Sequence, residues 1–185
     1  MSWLERYPWT AGDLRVTRAA LEEVERLARI GYAADEEVCG VLTGPAAEPL
    51  LCDRALPIEN IARSLHERDP KAFFRTARTF FAFYARTLER IMADGASADA
   101  PVKVLYHSHL DAPAELSGTD AAVLSGGIAP SHAGGPATLG AGPPWPLAFL
   151  VSGVIRRDGG APRVDDHRLY VWKARGFEPS KLEIV

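Results

Sequence analysis

Residues 102–124 read "VKVLYHSHLDAPAELSGTDAAVL", and the rest of the chain is best read outward from them. "VKVLY" is a short apolar run rich in β-formers, which predicts a buried strand delivering His107 at its C-terminal end. "GTDAAVL" predicts a short helix, with Ser117 or Thr119 available as its cap. In a strand, residues i and i+2 point to the same side, so His107 and His109 converge if the extended geometry persists. Asp120, in the first turn of the helix, can swing back over the intervening loop and add a carboxylate oxygen. Two imidazoles and one carboxylate leave a tetrahedral zinc one open position, which is what hydrolysis at a metal needs. An H-x-H pair without such neighbours can equally be two polar residues at a strand end.

The flanking sequence supplies the other elements. "RVTRAALEEVERLARIGY" places Leu21, Val24, Leu27 and Ala28 on one helical face, with Thr17 as N-cap and Gly31 as a stop. A buried strand is expected from about Val38 to Thr43, and another within "PLLCDRALPIEN". Asp69 and Pro70 look like the start of a second helix, whose stripe of Phe73, Ala77, Phe80, Phe81, Tyr84, Leu88 and Ile91 ends near Asp94 and Gly95. After the His-bearing strand and its helix, residues 126–146 are rich in Gly, Ala and Pro, a loop by composition. "LAFLVSGVI" and "HRLYVWKA" then read as a strand pair joined through "RRDGGAPRVD". Strands and helices alternate without an internal repeat, so the expected class is α/β or α+β, one mixed sheet flanked by helices.

At 185 residues the chain is most simply one domain, residues 1–185, large enough to bury a sizeable core. A net charge of -3 gives no electrostatic reason to expect nucleic acid or an anionic membrane. No long apolar stretch suggests a membrane span, and "MSWLERYPWT" lacks the pattern of an export signal. Cys39 and Cys52 are therefore expected as reduced thiols, and the protein as cytoplasmic. Cys39 lies in an apolar strand, where a small buried residue is the simpler reading than a nucleophile.

Competing hydrolase signatures fail. "HERDP" from His66 opens like H-E-x-x-H but has Pro70 where the second histidine belongs, so His66 is expected at the surface or in a cap. There is no G-x-S-x-G and no P-loop. His132 falls in the Gly-rich loop and His167 at a strand start, neither with ligand-like neighbours.

"HSHLDAPAELSGTD" fits H-x-H, seven residues, then S-x-x-D, and here the chain resembles the JAMM (MPN+) metalloprotease family. That family also carries an upstream glutamate in an E-x-x-G context. "EEVCGVLTG" is similar to that element, with Glu37 to Gly40 matching and Glu36 as the adjacent decoy. The stretch "IENIARSLHERDPKAFFRTAR" is similar to the Asn-then-Asp-Pro segment of bacterial members. The chain departs from many of them at Leu110, where they have proline, and in the length of the 126–146 insertion.

The resemblance implies a JAMM/MPN fold, like that of the cytidine deaminases, with zinc on His107, His109 and Asp120. It implies Glu37 as the general acid-base and Ser117 as a hydrogen-bond partner of the attacking water or of the oxyanion of the tetrahedral intermediate, with a helix N-cap as the plain alternative for Ser117. The implied activity is that of a deubiquitinase-like isopeptidase or peptidase. Its substrate would be the Gly-Gly-type tail of a ubiquitin-like or sulfur-carrier protein, with the matching conjugation enzymes as further partners. Other readings are a metallopeptidase for a phage-tail or cell-wall peptide and a non-catalytic scaffold; amidohydrolase barrels need about 250 residues. The 126–146 segment is either a flap that holds substrate or an idle insertion.

Overall fold

The computed structural model describes residues 3–185. Helix α1 (Trp3–Arg6) and a 3-10 turn (Pro8–Ala11) lead to β1 (Leu14–Val16) and α2 (Arg18–Ala34). They are followed by β2 (Cys39–Thr43), β3 (Leu51–Cys52), β4 (Arg54–Ile58), α3 (Ala62–Arg68) and α4 (Ala85–Ser97). The chain continues through β5 (Val102–Leu110), α5 (Gly118–Leu124), β6 (Ala148–Ile155), β7 (Arg163–Lys173), β8 (Gly176–Ser180) and β9 (Leu182–Ile184).

The main sheet has the order β4-β2-β5-β6-β7-β8, with β5 and β6 parallel and every other pair antiparallel. It is the expected mixed sheet with helices on both faces. Every residue of β5 is buried, as a central strand covered on both sides requires. On one face α2 packs Leu21 and Val24 against Val104, Tyr106, Leu150 and Leu169. On the other, Leu88 of α4, Leu124 of α5 and Phe81 cover Val41, Leu105, Phe149 and Val151. Alternation along β5 places His107 and His109 on this second face, after Leu105. A second, small parallel sheet of order β3-β1-β9 adds Leu14, Val16 and Cys52 to the first core; its strands of two or three residues are too short to show in the sequence pattern.

Thr17 caps α2 as expected, its side chain accepting from the Ala20 N–H at 3.2 Å. Gly31, however, does not stop the helix. The helix runs to Ala34 and ends at Asp35, which takes the left-handed conformation (φ 59°). Gly31 is needed for close approach: a Cβ there would lie 2.4 Å from Val38 and 2.6 Å from the Glu36 carbonyl.

The larger correction concerns residues 69–94. No single helix runs through them; the chain is irregular from 69 to 84 and only then enters α4, which continues past Gly95. Asp69 does cap, but only one turn, accepting from Lys71 and Ala72. Asn60 is the physical reason. Its amide donates to the carbonyls of Glu37 (2.9 Å) and Phe80 (3.2 Å), and its oxygen accepts from Ala62 and Ala82 (both 3.0 Å). These bonds hold residues 77–82 beside the start of β2 in a path no helix can follow. Of the expected stripe, Ala77, Phe81 and Leu88 are buried, whereas Phe73 and Tyr84 are exposed, so the irregular strap sends only part of it into the core.

The 126–146 segment has neither helix nor strand, yet it is tied down. Ile128 and Thr138 exchange two backbone hydrogen bonds, and Ser125 accepts from Gly140 and Gly142. Its end adds Trp145 to the core, and Trp9 donates to the Pro146 carbonyl.

Candidate active site

β5 runs on through Leu110, so both histidines keep extended geometry and present their rings on one face. The Nε2 atoms of His107 and His109 are 3.1 Å apart, and Asp120 Oδ2 lies 3.3 Å from His109 Nε2 and 3.6 Å from His107 Nε2. Four ligands about 2.0–2.1 Å from a zinc ion stand roughly 3.3 Å from one another in a tetrahedron. The three side chains are therefore spaced for such an ion, and all three are buried.

Each of these side chains is oriented by a neighbour. His109 Nδ1 is 3.0 Å from the Pro113 carbonyl, which fixes the proton on Nδ1 and leaves the Nε2 lone pair facing the cluster. His107 stacks on Phe81 with ring centroids 4.5 Å apart. Ser117 and Asp120 form a capping box at the start of α5: Ser117 Oγ accepts from the Asp120 N–H (3.1 Å) and Asp120 Oδ2 from the Ser117 N–H (3.0 Å). Of the two candidate caps, Ser117 takes the position. Its hydroxyl hydrogen remains free to donate, so the cap and a donor role are compatible.

Glu37 sits beside this cluster, only 5% exposed, and its Oε2 is buried without a hydrogen-bond partner. Its backbone is clamped on both sides, the N–H donating to Ala77 (2.7 Å) and the carbonyl accepting from Asn60. Gly40, three residues on, makes room: a Cβ there would lie 2.4 Å from the Tyr106 hydroxyl and 2.3 Å from the Leu56 carbonyl. Glu36 instead points outward and pairs with Arg63. Ser108, between the two histidines, faces the opposite side and ties β5 to Val38 through two hydrogen bonds of 3.0 and 2.9 Å. The middle residue of H-S-H thereby sets the distance between Glu37 and the histidines.

Charge follows from burial. Desolvation, then the nearby Asp120, push the Glu37 carboxyl up to about 9, with Arg75 pulling slightly the other way. Burial also acts to raise Asp120, but His107, His109 and Ser117 outweigh it and hold that carboxyl well below the usual range. Burial keeps His107 below its ordinary value, whereas Asp120 overcomes burial at His109 and raises it. The result is an anion facing two imidazoles, with a second carboxyl whose charge awaits a cation.

The remaining sequence candidates lie elsewhere. Cys39 is buried on β2, its thiol 3.5 Å from the Ile58 carbonyl, and burial pushes it up to about 12. His66 is half-buried near the end of α3, with Nδ1 2.7 Å from the Phe73 carbonyl. His132 is exposed in the loop. His167 packs beneath the other sheet face, 2.9 Å from Ser152 Oγ and 3.4 Å from Glu25. Sequence reasoning missed the roles of Asn60, Ser108 and Phe81; Asn60 alone had a signal, in the Asn-then-Asp-Pro resemblance.

Residues 19–162 match the family model of the prokaryotic homologs of the JAB domain. The solution structure of a protein from Desulfitobacterium hafniense is similar to this chain at 17% identity and a TM-score of 0.56, covering 93% of this chain and 92% of that one. A JAB1/MPN domain protein from Archaeoglobus fulgidus, known from a crystal structure, aligns at 12% identity and a TM-score of 0.47 over 93% and 99% of the two chains. No curated protein sequence matches. With the matched segment spanning Glu37, both histidines and Asp120, the chain belongs to the prokaryotic homologs of the JAB domain, within the JAMM/MPN family.

Proposed function

We propose that this protein is a zinc-dependent isopeptidase or peptidase that cuts after the Gly-Gly-type tail of a ubiquitin-like or sulfur-carrier protein. One observation carries the reading: a buried His107–His109–Asp120 group beside a buried Glu37 carboxylate oxygen that has no partner. An orphaned buried oxygen is costly and is kept where a ligand or a reaction uses it.

His107, His109 and Asp120 would hold the zinc. When bound, zinc supplies a Lewis acid that acidifies water and polarises the scissile carbonyl. Glu37 takes the proton of the attacking water and passes it to the departing amine, so that the C–N bond breaks as the new C–O bond is retained. A carboxyl held at about 9 without a cation moves toward the working range when a dication is placed beside it. Ser117 donates its hydroxyl hydrogen to the carbonyl oxygen as that oxygen gains charge. Slender glycines suit a site whose Glu37, His107, His109 and Asp120 are all buried. Both cysteines are free and buried, which suits the cytoplasm, the setting this reading adopts; among the described residues no helix is long and apolar enough to cross a membrane.

The test is incubation of zinc-loaded protein with a Gly-Gly-ended modifier fused to a reporter. Release of the reporter by the wild type and its loss in Glu37→Gln is the expected result. Equal release by both proteins would overturn the assignment of Glu37, and no release from any modifier would overturn the substrate class.

A further inference from the structure

Beside the metal cluster lies a cavity of about 390 Å³ between the irregular strap and the 126–146 segment. Its walls are apolar, formed by Leu65, Phe73, Phe74, Phe80 and Pro130. Thr119, next in sequence to Asp120, is part of the lining. Arg75 is the cationic residue in the lining. Its guanidinium lies over the Phe74 ring, 5.2 Å from the centroid, and its Nε is buried without a hydrogen-bond partner. Among the described residues it forms no ion pair within bonding distance, and its charge acts on the Glu37 carboxyl, which it pulls down.

Such a pocket has a legible chemistry. Apolar walls of this extent shed water readily onto an apolar side chain. The buried Nε–H lacks an acceptor and is satisfied by a carbonyl oxygen of a bound segment, while apolar walls penalise a charged one. We propose that this cavity is a substrate subsite: it takes one bulky apolar side chain of the chain being cut, while the Arg75 Nε–H donates to a main-chain carbonyl of that segment. This rests on the reading of the cluster as a peptide-cutting site, and it adds a requirement. Glycines at the scissile bond must be accompanied by a large apolar residue within reach of Arg75.

The probe is a set of Gly-Gly-ended peptides with a fluorogenic amide, carrying leucine, glycine or aspartate in turn at each upstream position. At one position leucine should lower KM at least tenfold relative to glycine, and aspartate should raise it. Arg75→Met, which keeps the length but removes the N–H, should raise KM about tenfold for the leucine peptide and leave KM for the glycine peptide within twofold of the wild type. Ala129→Trp, which fills the cavity, should erase the leucine preference, with circular dichroism checking the fold. A leucine preference that survives Ala129→Trp, or no preference at any position, would overturn the subsite. If no peptide is cut, anisotropy with uncleavable peptides on the Glu37→Gln protein separates the two claims. Tighter binding of the leucine peptide, abolished by Ala129→Trp, would keep the subsite and sink the hydrolase reading; equal binding of all peptides would sink the subsite.

Discussion

Strand β5 buries charge at both ends, and the two ends are finished differently. Near its start, the fully buried Lys103 donates its three N–H groups to the carbonyls of Pro45, Glu48 and Leu51, at 2.9, 2.7 and 2.6 Å. Every donor has an acceptor, and the ammonium locks the turn between β2 and β3. Four residues on, His107 and His109 face Asp120 and a Glu37 oxygen that has no partner. A buried charge with all its bonds made is a structural device; one left short is poised for something else. The two ends should therefore respond in opposite ways to substitution.

The largest expected effect is at the unfinished end. Glu37→Gln should lower kcat by roughly two to four orders of magnitude, because glutamine fills the space but moves no proton. Thermal unfolding should show the fold intact and elemental analysis the metal retained; a fully active Glu37→Gln protein would remove the distinction between the ends. At the finished end, Lys103→Met should act on stability alone. Three carbonyls lose their donor, at a cost of about 3 kcal/mol in total. Urea titration would read the loss, while turnover per folded molecule should stay as in the wild type.

A smaller effect is in the pH dependence of the metal-free protein. Glu37 titrates near 4.5 in the unfolded chain and near 9 when folded, so between those values the folded state holds an extra proton. Its stability contribution is full below about pH 4.5 and declines as pH rises toward 9, by up to about 1.4 kcal/mol per pH unit. Denaturation in chelator should show this decline, and Glu37→Gln should flatten it. An equally steep decline in both proteins would place the titrating group elsewhere. The smallest change is Ser117→Ala, which loses a cap of about 1 kcal/mol. If the hydroxyl also donates to the reacting carbonyl, kcat should fall roughly tenfold or more beyond the stability loss.

What could be read from sequence follows the same division. His107, His109 and Asp120 were legible because they are close in the chain and on elements with clear periods. Glu37 lies seventy residues before His107; alone it resembles any solvated charge, and only its resemblance to a family pattern singled it out. The strap departs from the expected helix because a 3.6-residue apolar pattern fixes neither the backbone path nor the burial of each member: Phe81 is buried, Phe73 and Tyr84 are exposed. Asn60, a single polar residue bonding to four backbone groups, overrode that periodicity. Arg75 sits on the same strap, so its place in a cavity wall follows from a backbone path that the helical pattern does not contain. Lys103 within "VKVLY" gave no sign of its three carbonyls, since its acceptors come from a turn more than fifty residues away.

The most direct test of the central claim is metal content, measured by elemental analysis on the purified wild type beside His107→Ala and Asp120→Asn. One zinc per chain in the wild type, lost in both variants while their folds persist, is the predicted result. A wild type that binds no zinc even when supplied with it, or variants that retain it in full, would contradict the account.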